Sequence, residues 1–426
     1  MISRATPVYL DYHATTPCDP RVVESMIPTL SRDFGNASSR HHAFGRRAEQ
    51  LVEVARSRVA RLIRCEPAEV VFTSGATESN NLAIKGVITK SGQQPAHVIT
   101  VRTEHKAVLD ACQTLEKDGT RVTYLGVDAD GRVRLEDLEK AMTDDTVLVS
   151  IMYANNEIGV LNPVREIGDL CKSRGVLFHC DAVQAAPYLN CDVDELGVDL
   201  MSLSGHKMYG PKGVGVLYVR RRRPRVRLHA LLDGGGHERG LRSGTLNVSG
   251  IVGMGAACDL VYEERGRDAS HTRALRDGML ELLTRSCPEL QLNGGMVDRL
   301  PNNLNVSFGD IEAERLLETL DGVAISSGSA CSSASWDGSY VIKSLGSAEN
   351  PDGRGGRADT LENEARARSS LRISLGRFTS VDEVDLAAAE LVRAVGSLRR
   401  EESLRAPSSC GPASCATGPE VGEGFD

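Results

Sequence analysis

Between Val70 and Val219, short apolar runs alternate with stretches in which apolar side chains recur every three or four positions. Val70 to Thr73, His97 to Val101 and Arg121 to Leu125 read as buried strands, as do Thr146 to Tyr153, Val176 to Cys180, Leu200 to Ser204 and Val214 to Val219. Lys106 to Lys117 and Val164 to Arg174 carry the helical period, and Gly175 stops the second. Strands interleaved with helices predict an α/β protein whose mostly parallel, seven-stranded sheet is covered on both faces. In such sheets ligands gather beyond the carboxyl ends of the strands. After Asn247 a helical pattern, Val252 to Glu264, leads into mixed sequence as far as Ser397, which predicts a smaller α+β domain. The expected division is a large domain over 17–260 and a small one built from 1–16 and 261–400. Two stretches read as unfolded for want of apolar residues: Ser347 to Arg368, and a tail over 406–426 rich in Gly, Pro, Ser and Ala.

Composition narrows the function classes. The chain of 426 residues is 41% hydrophobic and 25% charged, ordinary for a globular protein, and its net charge of -8 supplies no positive field for nucleic acid. The local run Arg220 to Arg223, with Arg225 and Arg227, reads as a solvated face. No apolar run reaches the roughly 18 residues of a membrane span, and Met1 to Pro17 lacks the apolar centre of a secretory signal. Eleven scattered cysteines suit reduced thiols in a cytoplasm better than a disulfide framework.

Candidate chemistry sits where the strands end. Ser204-Gly205-His206-Lys207 follows a predicted strand, and a partly desolvated lysine amine loses its proton easily and becomes nucleophilic; a surface lysine in a polar turn is the bland alternative. Ser74-Gly75-Ala76-Thr77 joins a strand to a helix through small residues, so backbone N–H groups and the helix dipole face the loop, a natural phosphate cradle. Asp181, at another strand end, suits pairing with a protonated pyridine nitrogen, although an isolated Asp is more often a cap. His105 lies beyond the strand ending at Val101 and suits ring stacking and proton transfer.

Taken in order, these pieces make the chain resemble the cysteine desulfurases of the NifS/IscS type, in the class V aminotransferase group of fold-type I pyridoxal-phosphate (PLP) enzymes. The resemblance runs from Tyr9-Leu10-Asp11-Tyr12-His13-Ala14-Thr15-Thr16-Pro17 through Asn155-Asn156-Glu157-Ile158-Gly159 and Arg242-Ser243-Gly244-Thr245 to Arg372-Ile373-Ser374-Leu375-Gly376-Arg377. It implies that Lys207 carries PLP, Asp181 meets the pyridine nitrogen, His105 stacks on the ring, and Gln184 bonds the phenolic oxygen. Ala76, Thr77, Ser204 and His206 would hold the phosphate, with Thr245 reaching in from the other subunit of a homodimer. Asn156 would lie beside the ring and the substrate carboxylate, which Arg372 would clamp.

Ser326-Ser327-Gly328-Ser329-Ala330-Cys331 is small and polar, a poor place to pack a thiol and a good one from which to present it. By the resemblance, Cys331 takes sulfur from L-cysteine as a persulfide, leaves alanine, and passes the sulfur to acceptors, among them an iron–sulfur scaffold protein with which it would transiently share a cluster ligand. Two alternatives stay open at this level: another PLP reaction on the same fold, such as transamination or selenocysteine lysis, and a catalytically idle partner-binding subunit. Ser347 to Arg368 reads as an insertion relative to the family, and Cys410 and Cys415 in the tail make an incomplete metal site.

Overall fold

The computed structural model describes residues 6–223, 225–309, 311–327, 338–348 and 360–405. In chain order its strands are β1 (Val8–Tyr9), β2 (Val70–Thr73), β3 (His97–Val101), β4 (Arg121–Leu125), β5 (Thr146–Ser150), β6 (Leu177–Asp181), β7 (Leu200–Ser204), β8 (Gly215–Val219), β9 (Leu290–Leu292), β10 (Asn303–Phe308), β11 (Val323–Ala324), β12 (Ser326–Ser327) and β13 (Ser370–Ser374). Seven of them form the central sheet in the order β2-β8-β7-β6-β5-β3-β4. The strands from β4 to β7 run parallel, and β8 lies antiparallel between β7 and β2.

The strands are apolar almost throughout because both faces are covered. Period-two alternation sends Val70, Phe72, Ile99, Val101, Val216 and Tyr218 into one core, while Val71, Val98, Leu217 and Val219 enter a second core on the opposite face. A third core encloses a four-stranded antiparallel sheet, β12-β13-β10-β9, and includes Val8 and Leu10 from the N-terminal strand.

One helix, Val248–Ser286, links these regions. It is longer than its sequence pattern suggests, with 39 residues spanning about 58 Å at 1.5 Å per residue. Ile251, Met254, Ala257, Cys258 and Val261 pack into the first core, and Leu275, Met279 and Leu283 into the third.

The expectation that Ser347 to Arg368 is unfolded fails over part of its length. Thr360–Ser369 is a helix, although its apolar content is low. Polar anchors hold it: Asn363 donates to the Leu345 carbonyl at 2.8 Å, and Arg366 donates to Asn293 Oδ1 at 2.8 Å. Ala367, on the same helix, is buried in the first core. Hydrophobic periodicity cannot report an element docked through its amides and guanidinium. The rest of that stretch from 349 to 359, and the tail carrying Cys410 and Cys415, lie outside the described residues.

A buried ionic cluster fastens the end of β13 to the large sheet side. Arg377 pairs with Asp19 at 2.9 Å and Asp268 at 2.7 Å, all three side chains being almost fully buried. Its guanidinium stacks 4.2 Å from the Tyr209 ring, and its backbone N–H donates to the Tyr209 hydroxyl. Breaking a buried pair from one side strands its partners without a counter-charge. Arg377→Leu is therefore expected to cost about 3 kcal/mol of stability, read as a lowered urea midpoint with PLP present.

Candidate active site

The carboxyl ends of the parallel strands open onto a cavity of about 520 Å3, the size of a cofactor site. Ala76, Thr77, His105, Asn156, Asp181, Gln184, Ser204, His206, Lys207 and Arg372 all line it. These positions are scattered over nearly 300 residues of chain, and the topology gathers them because each lies on a strand of the seven- or four-stranded sheet or in a segment that follows one. Thr245 is exposed and does not line the cavity of its own chain. Cys331 lies outside the described residues.

One end of the cavity is built for an anion. The helix Ala76–Ser91 starts at Gly75, with φ 155° and no side-chain cap, so its dipole opens onto the pocket. Only glycine adopts that backbone readily. Across from it, a Cβ on Gly215 would lie 2.5 Å from the Gly75 backbone, so the loop lies against β8 only because β8 begins without a side chain. His206 and Lys212 face the same space. Burial and the charges of Lys207 and Lys212 push the His206 imidazole down to about 4, leaving a neutral ring that bonds Thr15 Oγ1 at 3.1 Å.

At the middle, Asp181 accepts from Asn80 Nδ2 at 2.7 Å and from the Val183 N–H at 3.1 Å. His105 caps the next helix by accepting the Ala107 N–H on Nδ1 at 3.1 Å. In the neutral ring the proton then sits on Nε2. Lys207 Nζ donates to the carbonyls of His13 and, at 2.8 Å, Ala14, and Gln184 Nε2 donates to the His13 carbonyl at 3.1 Å.

The far end carries Arg372, only 1% exposed. It donates to Asp11 Oδ1 at 2.9 Å and to the Asn156 carbonyl at 3.1 Å. Among the described residues, Arg372 Nε and Asn156 Oδ1 are buried without a hydrogen-bond partner. Unsatisfied polar atoms on two lining residues mark a place where a polar ligand group completes the bonding.

Several contributors had no role in the sequence reading. Asn80, a turn beyond the quoted Ser74–Thr77 loop, acts on Asp181, and His13, inside a quoted motif, acts through its carbonyl. Glu104 and Glu157 are buried acids behind the cavity wall. Burial, with the Asp181 charge, raises the Glu104 carboxyl well above its ordinary range, and the Met152 N–H bonds one of its oxygens at 2.5 Å. Burial pushes Glu157 up to about 7, while Ser339 Oγ donates to it at 2.5 Å. No residue type or spacing announces either acid.

A doubly covered, mostly parallel sheet with a lysine, an acid and a helix N-terminus at its strand ends defines an α/β enzyme of PLP fold type I. The chain belongs to the class V aminotransferase family, whose sequence pattern matches residues 8–386. It is 52% identical over 398 residues to a cysteine desulfurase IscS of Anaeromyxobacter sp. (strain Fw109-5), covering 93% of this chain and 95% of that protein. Among solved structures it is similar to a NifS-like protein, with a TM-score of 0.81 and 35% identity over 92% of this chain and all of that one. It is similar also to SspA in complex with cysteine, with a TM-score of 0.74 and 35% identity over 87% of this chain and 99% of that one. The family is PLP-dependent, and the residues present fit the group: an uncapped helix start with neighbouring cationic side chains for its phosphate, a buried acid, and an amine between them.

Glu157 yields a pH test. A carboxyl whose folded value is raised from 4.5 to about 7 favours the fold fully below 4.5, and that contribution is lost as pH rises through 7. Glu157→Gln keeps an acceptor for Ser339 without the titration. Relative to wild type it is expected to gain up to about 3 kcal/mol between pH 4.5 and 8, measured as the difference in denaturation midpoints across that range. A constant difference would show that Glu157 does not titrate in the fold.

Proposed function

We infer that this chain is a PLP-dependent cysteine desulfurase, converting L-cysteine to L-alanine and a persulfide on Cys331. The observation that carries the reading is that one cavity is lined by both the Lys207 amine and the buried Arg372 guanidinium. An α-amino acid has an amine and a carboxylate to match. The likeness to IscS desulfurases over nearly the whole chain selects sulfur transfer from the reactions that such a cavity could host.

When bound, PLP supplies an electron sink for the charge released at Cα. Around it, Arg372 and Asn156 fix the substrate carboxylate and so orient the amino acid. Lys207 Nζ would hold the cofactor and, with substrate in the cavity, would serve as the base for the α-proton. Asp181 holds the negative charge that keeps the ring nitrogen protonated. Asn80 and the Val183 N–H aim that carboxylate. The His105 Nε2 proton is placed for exchange with the substrate thiol. Cys331, as thiolate, attacks the substrate sulfur; the Cβ–S bond breaks, its electron pair stays on carbon, and a proton completes the methyl group of alanine. Sulfur leaves as Cys331–S–SH for acceptors, including an iron–sulfur scaffold.

The large unit spans 17–260 and the small one 1–16 with 261–400, a division supported by the separate core around the four-stranded sheet, although Leu300, Val341, Ile342, Leu345 and Ala367 pack into the first core. The working unit is a homodimer. Thr245 is exposed outside its own cavity, and Ile27, Leu30, Phe34 and Phe44 leave an apolar stretch more than half exposed. The compartment is the cytoplasm: all eight cysteines among the described residues are free thiols, and no described helix is long and apolar enough to cross a membrane.

Lys207→Ala is expected to lose the visible absorbance that PLP gains on bonding to a lysine amine. Cys331→Ser should keep that absorbance and lose at least about 100-fold in alanine production. Mass spectrometry after incubation with cysteine should place about 32 Da, one sulfur, on the Cys331 peptide of the wild type alone. Undiminished turnover in Cys331→Ser would overturn the nucleophile.

A further inference from the structure

We propose that Asp11 sets how tightly Arg372 holds an α-carboxylate, weakening substrate cysteine and product alanine by the same factor. The inference rests on the desulfurase reading and adds a positioning residue to it. Arg372 is the wall of the cavity that an amino-acid carboxylate meets, yet its guanidinium is already engaged by a carboxylate of its own chain, Asp11 Oδ1 at 2.9 Å. That oxygen is fixed in place. It also accepts the Ser326 hydroxyl at 3.0 Å, and the Asp11 backbone bridges to Ser374 on the strand that carries Arg372. The Asp11 carbonyl in turn accepts the Tyr9 hydroxyl at 2.9 Å. Asp11 stands behind the lining residue Arg372, with its side chain bonded to Ser326 and its backbone to the strand of Arg372.

The same interior shows what a guanidinium does without such a partner. Arg299 is equally buried, bonds only carbonyl and amide oxygens, and is pushed down to about 9 by burial and by Arg276. Arg372 differs in carrying a carboxylate, Asp11, and that counter-charge has a consequence for ligands. An incoming carboxylate shares the guanidinium with a fixed anion, and at such a separation in a partly dry site the repulsion is worth about a factor of ten in affinity. Arg372 Nε, free of any partner among the described residues, remains to bind the newcomer.

Cysteine and alanine have the same carboxylate and amine and differ only at Cβ. Binding energy drawn from the carboxylate is uniform along the reaction, so it deepens the hold on product as much as on substrate. A partly neutralised Arg372 orients the amino acid and still lets alanine leave.

The test uses the PLP holoenzyme and spectral titration with L-alanine, L-cysteine turnover, and titration with cysteamine, which has the amine and thiol but no carboxylate. Asp11→Asn keeps an acceptor for Arg372 and removes the charge. It is expected to lower the alanine dissociation constant and the KM for cysteine by about ten-fold each, with a smaller change in kcat and a change of less than about two-fold for cysteamine. Asp11→Ser, which makes the same charge change with a smaller side chain, should move both constants in the same direction. Asp11→Glu, which restores the charge, should return alanine affinity to within about three-fold of wild type. Weaker or unaltered alanine binding in Asp11→Asn, or an equal shift for cysteamine, overturns the role of Asp11. Wild-type holoenzyme that binds neither cysteine nor alanine overturns the desulfurase reading itself.

Discussion

The catalytic geometry depends on one strap of backbone, residues 8–19, bound at once to both sheets. On one side Leu10 donates to the Ala324 carbonyl and accepts from the Ser374 N–H at 2.8–2.9 Å, tying the strap to the strands that hold Arg372. On the other, the Thr16 N–H bonds the His206 carbonyl, Asp19 bonds Tyr209, and the Lys207 amine bonds the Ala14 carbonyl. Lys207 and Arg372 sit on different sheets with separate apolar cores. Their spacing is set by this short segment, which turns at Tyr12 to Ala14 and whose backbone bonds leave it little freedom. Arg377 closes the loop of contacts from the β13 side through Asp19, which is why charge burial is tolerated there.

The same strap explains which parts of the site were legible in the sequence. Residues that act through a side chain at a strand end stand in recognisable company: Lys207 after Ser204-Gly205-His206, Asp181 after an apolar run, Gly75 between strand and helix. The seven strands were legible for the same reason, since a sheet covered on both faces writes itself as continuous apolar runs. His13 works through its carbonyl, and a carbonyl is common to all residues. Asn80, Glu104 and Glu157 act by being buried next to a charge or a hydroxyl, and burial of a polar residue is a tertiary property with no local signature. The Thr360–Ser369 helix was hidden by the reverse effect, a polar sequence docked by hydrogen bonds. The full reach of the Val248–Ser286 helix was hidden because its apolar face changes partner midway, which blurs the period.

Electrostatically the site separates charges that act from charges that are suppressed. Buried His13 and His179 are pushed down to about 3 by desolvation, so neither adds a cation near neutral pH. Burial and the Asp181 charge push the Glu104 carboxyl well above its ordinary range, which disfavours a second anion beside Asp181. Neutral neighbours cost the interior less than ions would, and they leave the field in the cavity to Glu78, Asp181, Lys207, Lys212 and Arg372 with its partner Asp11.

Glu157 is the exception, because a carboxyl near 7 is neither fully suppressed nor fully charged. Its backbone carbonyl is held by Asn303 and Asn305 on β10, and its side chain by Ser339. Ser339 in turn caps the Tyr340–Lys343 helix by accepting the Ile342 N–H at 3.1 Å. That helix is anchored again by the Tyr340 hydroxyl, which donates to the Glu104 carbonyl at 2.6 Å. The two buried acids thus meet the same short helix, one through its side chain and the other through its main chain. Ionising Glu157 strengthens its hydrogen bond to Ser339 while raising its desolvation cost. These opposing changes fall within the pH range in which thiols and amines exchange protons, so the wall that orients Asn156 and Arg372 is least uniform in charge where the chemistry takes place.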